Sequence, residues 1–146
     1  MTCRILIASS SLSERELMVS TLNGAGHITH TVVSIEEAMQ VKDGGKNDLV
    51  IIDADFTLPG QGWLLVKKLR KLPWGKNLGL IIVTHSSPMS FMHDAEYRGL
   101  YNQVLMFPID VDQLLADIER VMKLKKKKGG ELRRCTDQQI GWTDST

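Results

Sequence analysis

The chain has 146 residues, 42% hydrophobic and 24% charged, a length and balance that suit one folded domain with a short appendage and exclude a fibrous repeat or a wholly disordered chain. The net charge of +1 hides an asymmetry: residues 1–122 carry 11 Lys and Arg against 14 Asp and Glu, a balance of −3, whereas residues 123–146 carry 7 against 3, a balance of +4. No apolar run approaches the roughly 18 residues of a membrane span, and the short apolar start reads as a strand and not as a signal peptide, so a soluble cytoplasmic protein is expected. Cys3 and Cys135 have no CxxC or CxH spacing beside them and read as free thiols, not as part of a disulfide framework or a zinc site.

Apolar runs alternate with segments of helical period along the whole chain. Arg4 to Ala8 is apolar at nearly every position, as a strand covered on both faces should be. Ser11 with Glu14, and Ser13 with Glu16, both fit a capping box, and Leu17, Met18, Thr21, Leu22 and Ala25 form the stripe of a first helix that Gly24 and Gly26 end. Ile28 to Val33 predicts a second strand, and Ser34 with Glu37 opens a short helix through Val41, followed by a turn at Asp43 to Lys46. The strongest strand signal is Leu49 to Ile52, which stops on Asp53.

Pro59 and Gly60 mark the loop that follows. Leu64, Leu65, Leu69 and Leu72 then predict a third helix whose other face carries Lys67, Lys68, Arg70 and Lys71, with Pro73 as its stop. Leu80 to Val83 gives a fourth strand leading to Thr84 and His85, and Met89 to Arg98 a weakly patterned fourth helix. Gln103 to Phe107 gives a fifth strand, and Asp110 with Gln113 caps a last helix packed through Leu114, Leu115, Ile118, Val121 and Met122. This order is (βα)5, an α/β doubly wound, five-stranded parallel sheet. Residues 1–122 form the domain; residues 123–146, with the cluster Lys125 to Lys128 and a Gly-Gly break, read as a basic, flexible tail or linker.

In such a sheet, ligands bind where the strands deliver their carboxyl ends, which gathers Ser9, Ser10, Ser11, Asp53, Thr84, His85, Phe107 and Pro108 at one edge. The order and spacing over residues 3–122 resemble the receiver domain of two-component response regulators, a CheY-like, flavodoxin-like fold. By that resemblance Asp53 stands at the phosphoacceptor aspartate and Thr84, 31 residues on, at the hydroxyl switch residue. The resemblance also implies an acidic pair that holds Mg²⁺, an aromatic switch residue and a lysine before the final proline. Here these positions hold Ser9 and Ser10, Val104 and Phe107.

Two hydroxyls and one carboxylate make a poor site for Mg²⁺, which prefers an octahedron of hard oxygens. Phosphoryl transfer depends on neutralising the charge of the equatorial oxygens, and Phe107 cannot do that. The expectation is therefore a degenerate pseudo-receiver, without cofactor or metal and not an enzyme, in which Asp53 accepts hydrogen bonds from nearby Ser or Thr hydroxyls and backbone amides. His85 could pair with Asp53, but reads more simply as a solvated loop residue; Asp55 could replace a lost ligand, but points more simply to solvent.

The function expected is phosphorylation-independent protein interaction in two-component-type signal transduction. The resemblance implies docking of a signalling protein, an effector domain or a second copy on the face made by the fourth helix, fifth strand and last helix, near Tyr97, Leu100, Tyr101 and Val104. One alternative is a phosphorylatable switch that uses Asp53 with Mg²⁺ and Asp55. Another is nucleic-acid binding through the tail, which the near-neutral chain disfavours. Trp63, Trp74 and Trp142 are too scattered for a stacking platform, and His27, His30 and His93 too scattered for a metal site.

Overall fold

A computed structural model describes residues 2–41, 46–86, 96–97 and 99–129, the side chains of 125–129 excepted. Its sheet is built from β1 (Arg4–Ala8), β2 (Ile28–Val32), β3 (Leu49–Asp53), β4 (Gly79–Thr84) and β5 (Gln103–Met106), all parallel, in the order β2-β1-β3-β4-β5. The helices are α1 (Leu12–Gly24), α2 (Ile35–Met39), α3 (Gln61–Arg70) and α4 (Val111–Gly129), with a 3₁₀ turn at Pro73–Gly75. The predicted helix at Met89 to Arg98, apart from Glu96 and Tyr97 in a turn, and most of the turn at Asp43 to Lys46 lie outside the described residues, as do His93, Cys135 and Trp142. The last helix runs on past Met122 to Gly129, so it includes the backbone of the lysine cluster; residues 130–146 lie outside the described part.

Because alternate strand residues point to opposite faces, the sheet divides the core in two. Leu6, Val50, Ile52, Leu80 and Ile82 pack with Trp63, Leu65, Val66 and Leu69 of α3. On the other face Ile5, Ile7, Leu49, Ile51, Ile81 and Val83 pack with Met18 and Leu22 of α1 and with Leu114, Ile118, Val121 and Met122 of α4. The central strands β3 and β4 are buried throughout, which explains why their sequences are continuously apolar.

Local signals place the helix starts. The Ser11 hydroxyl accepts from the Glu14 N–H at 3.4 Å. At α2, the Ser34 hydroxyl accepts from the Glu37 N–H at 3.0 Å while the Glu37 carboxylate accepts from the Val33 N–H at 2.8 Å, so the reciprocal bond reaches one residue further back than in the usual capping box. Asp110 starts α4 by accepting from the N–H groups of Asp112 and Gln113.

Four helix-face assignments change, the first at Ala25, expected in the stripe of α1 but exposed as the residue that follows its last turn. Leu17 and Leu64, expected inward, are 43% and 41% exposed, because the buried stripes are narrower than the apolar pattern: Met18 and Leu22 in α1, and Trp63, Leu65, Val66 and Leu69 in α3. Arg70, expected on the solvent face, is half-buried and bonds inward. Its guanidinium donates to the carbonyls of Leu100 at 3.0 Å, Gly75 at 2.9 Å and Leu78 at 2.7 Å. Those carbonyls have no ladder partner, and a planar fork with five donors reaches several of them at once. Burial lowers the pKa of Arg70 from its ordinary value.

Trp63 is a packing residue, as expected, stacked on Tyr97 with centroids 4.2 Å apart and meeting Tyr101 edge-on at 5.7 Å. Trp74, Leu100 and Val104 are half-buried against the same cluster. Cys3 is buried, and its N–H donates to the His27 Nδ1 at 3.0 Å. Among the described residues no helix is long and apolar enough to cross a membrane.

Candidate functional site

The strand register brings the expected edge together. Ala8 pairs with Ile52, Asp53 with Val83, and Thr84 with Met106, so Ser9, Asp53, Thr84 and Phe107 emerge at neighbouring positions. The two-residue alternation then sorts them by face. Asp53 continues the parity of Leu49 and Ile51, His85 that of Ile81 and Val83, and Phe107 that of Leu105, all on the face covered by α1 and α4. Thr84 continues the opposite parity, that of Leu80 and Ile82.

Asp53 is 5% exposed. One of its oxygens, Oδ1, accepts from the Asp55 N–H at 2.9 Å. Burial pushes its pKa up from the usual carboxylate value; the Asp55 amide bond and His85 oppose that, and the neighbouring Asp55 charge adds to it. The expected hydroxyl donors are turned elsewhere. Ser9 Oγ lies 3.5 Å from the Ser11 carbonyl, Ser10 Oγ accepts from the Thr57 N–H at 3.3 Å, and Thr84 Oγ1 accepts from the Ser86 N–H at 3.0 Å. Among the described residues no Ser or Thr hydroxyl bonds Asp53, because each has a nearer loop amide or carbonyl to satisfy.

Asp55 is half-buried, not directed wholly to solvent: its Oδ1 accepts from the Gly60 N–H at 3.0 Å and holds its own loop. His85 stacks on Phe107 with centroids 4.2 Å apart and planes 22° apart, and its Nε2 lies 2.8 Å from Oε2 of Glu14. His85, read as a solvated loop residue, is more than half exposed but makes a contact with Glu14, in place of the alternative pair with Asp53, and that contact is an ion pair when the imidazole is protonated. Phe107 is half-buried and forms a wall on this face, while Val104 packs on the other.

Two residues that the sequence did not single out for the site reach it from the first turn of α1. Glu14 brings a second carboxylate, with a donor atom within 4.8 Å of one on Asp53 and one on His85. Arg15 donates from Nη1 to the Ser9 carbonyl at 2.8 Å and brings a cation to the β1 exit. In sequence Glu14 already has a local explanation as the closing residue of a capping box that Ser11 opens. Only strand parity combined with the position of α1 reveals its other neighbours.

The Mg²⁺ implied by the receiver resemblance can be tested against these donors. The two positions of the acidic pair hold hydroxyls engaged with backbone groups in place of carboxylates, and one Asp55 oxygen holds its own loop through the Gly60 N–H, so the residues present do not fit an octahedral oxygen site of that design. Phe107 supplies no charge to a transferred phosphoryl group.

No protein-family model matches the sequence, and no curated protein sequence matches it. Solved structures do match, and they share its fold. NtrX from Brucella abortus, in complex with ADP, superposes with a TM-score of 0.76 at 21% identity over 89% of this chain and 28% of NtrX, so this chain spans under a third of that protein. A CheY-like response regulator receiver domain protein from Methanospirillum hungatei gives 0.72 at 17% identity over 88% of this chain and 99% of that one. The response regulator TrrA from Thermotoga maritima, in complex with Mg²⁺-BeF, gives 0.69 at 25% identity over 82% and 98%. The five-stranded parallel fold is that of response regulator receiver domains.

Proposed function

We propose that this chain is a pseudo-receiver: a cytoplasmic, non-enzymatic protein-interaction module of two-component-type signalling that works without aspartyl phosphorylation. The observation that carries this reading is the commitment of the phosphate-handling positions to other contacts. Ser9 and Ser10 are engaged with the backbone, and Phe107 is stacked on His85 where the resemblance expects a lysine. A phosphoryl group on Asp53 would add about −1.5 to −2 charge next to Glu14 and Asp55, with neither a metal site of receiver type nor a lysine to balance it.

The module's partner would be a signalling protein, an effector domain or a second copy, with residues 130–146 extending the surface or linking it onward. Capture by an immobilised full chain is expected to be unchanged in Asp53→Asn, because the interaction does not depend on the acid's modification. Cross-linking and mass spectrometry of the captured proteins would compare wild type, Asp53→Asn and a chain ended at Gly129, which leaves α4 whole. Loss of capture in Asp53→Asn under phosphorylating conditions would favour a phosphorylatable switch. Loss only in the shortened chain, with salt-sensitive binding to DNA or RNA by the full one, would favour nucleic-acid binding through the tail.

A further inference from the structure

We infer that Glu14, Asp53 and His85 form a site for one borderline divalent cation of the Zn²⁺ class, distinct in donors and in preferred metal from the Mg²⁺ site that the receiver resemblance implies. Each residue offers one ligand atom, and the three atoms lie within 4.8 Å of one another. They come from three separate elements: the first turn of α1, the end of β3 and the residue after β4.

Two further observations point to a ligand. Oε1 of Glu14 is buried and has no hydrogen-bond partner among the described residues. Asp53 is more than nine-tenths buried, and its one side-chain hydrogen bond among those residues, from the Asp55 N–H, engages Oδ1. A buried carboxylate oxygen without a partner, as Glu14 Oε1 is, is costly, and a cation bound by that carboxylate lowers the cost.

The donor set selects the metal. Imidazole with carboxylates suits Zn²⁺ and its neighbours, whereas Mg²⁺ and Ca²⁺ take oxygen ligands. Tetrahedral Zn²⁺ with bonds of about 2.0–2.1 Å places its ligand atoms about 3.4 Å apart, a spacing that these donors reach by small rotamer adjustments. His85 Nε2 and Glu14 Oε2, 2.8 Å apart, would separate slightly to admit the ion. The stack on Phe107 fixes the ring plane of His85, much as an outer partner orients a metal-binding histidine. Three protein ligands leave a fourth position for water or for an oxygen from a partner protein. The inference does not depend on the absence of phosphorylation, so either reading can fail alone.

Calorimetric titration of the full chain, first stripped with EDTA, with ZnCl₂ tests the site, and a parallel titration with MgCl₂ tests its selectivity. One equivalent of Zn²⁺ is expected to bind and 10-fold excess Mg²⁺ not to displace it, while His85→Ala and Glu14→Gln each weaken binding by about tenfold or more. His85 is more than half exposed, so its replacement should leave the fold intact, which a circular dichroism melt checks. Co²⁺ should give visible absorption bands that fade in His85→Ala. Failure to bind Zn²⁺, or binding of equal affinity in His85→Ala, would overturn the assignment, the latter by placing the ion elsewhere on the chain.

Discussion

Replacing Ser9 and Ser10 with aspartate and Phe107 with lysine in one chain is expected to create Mg²⁺-dependent stability and phosphorylation of Asp53. Ser9 is fully buried and emerges beside Asp53, so a carboxylate there joins Asp53 and Glu14 in a small volume. Crowded carboxylates repel one another unless a cation lies among them. In EDTA the triple variant should therefore melt below the native chain. Added Mg²⁺ should restore it, by about 2.7 kcal/mol once the ion exceeds its dissociation constant 100-fold. Acetyl phosphate should then label Asp53 of the variant. If the triple variant melts at the same temperature with EDTA and with Mg²⁺, these three positions are not what sets Mg²⁺ binding in this chain.

Gly62→Ala should be among the most damaging single changes in the chain. A Cβ at Gly62 would stand 2.0 Å from the Asp53 carbonyl oxygen and 2.8 Å from backbone atoms of Ala54, and none of these can yield as a flexible side chain would. The close approach has a function in the fold. The Gly62 N–H donates to the Ala54 carbonyl at 3.0 Å, so the start of α3 rests on the exit of β3 and helps to fix the backbone that carries Asp53. Overpacking of this kind costs about 3 kcal/mol, which for a domain of this size lowers the melting midpoint by about 10 °C. Gly24→Ala is the control: it lies at the end of α1 with nothing within 4 Å of the added carbon, and it should be neutral or slightly stabilising. Equal midpoints for Gly62→Ala and the native chain would show that α3 and the Asp53 loop are less tightly joined than the coordinates indicate.

The parts of the structure that local physics dictates could be seen in the sequence. Leu49 to Asp53 and Gly79 to Thr84 are buried at every position, and continuous apolarity announced both; Ser11, Ser34 and Asp110 mark helix starts through bonds made within three residues. What could not be read depends on tertiary placement. Arg70 sits among lysines in a helix face that looks solvated, yet carbonyls from the segment that follows its helix and from Leu100, 30 residues on, draw its guanidinium inward. Leu17 and Leu64 fit an apolar stripe, but each lies at the margin of the strip that a neighbouring sheet can cover.

The site shows the same division. Asp53, Ser9, Thr84, His85 and Phe107 were assigned to one edge from strand order alone, and the register brings them there. Their partners were not foreseeable residue by residue. Serine and threonine hydroxyls prefer nearby backbone groups over a carboxylate across the sheet, so Asp53 lacks the hydroxyl bonds expected for it. His85 meets Glu14 because β4 and α1 share a face, a relation invisible until the parity of each strand is known.

Intact-mass spectrometry of the native full chain after incubation with acetyl phosphate and Mg²⁺, compared with Asp53→Asn, gives the most direct measurement. A pseudo-receiver should keep its unmodified mass in both proteins, under conditions that label a functional receiver domain run alongside. An added phosphoryl mass on the native chain that is absent from Asp53→Asn would contradict the account.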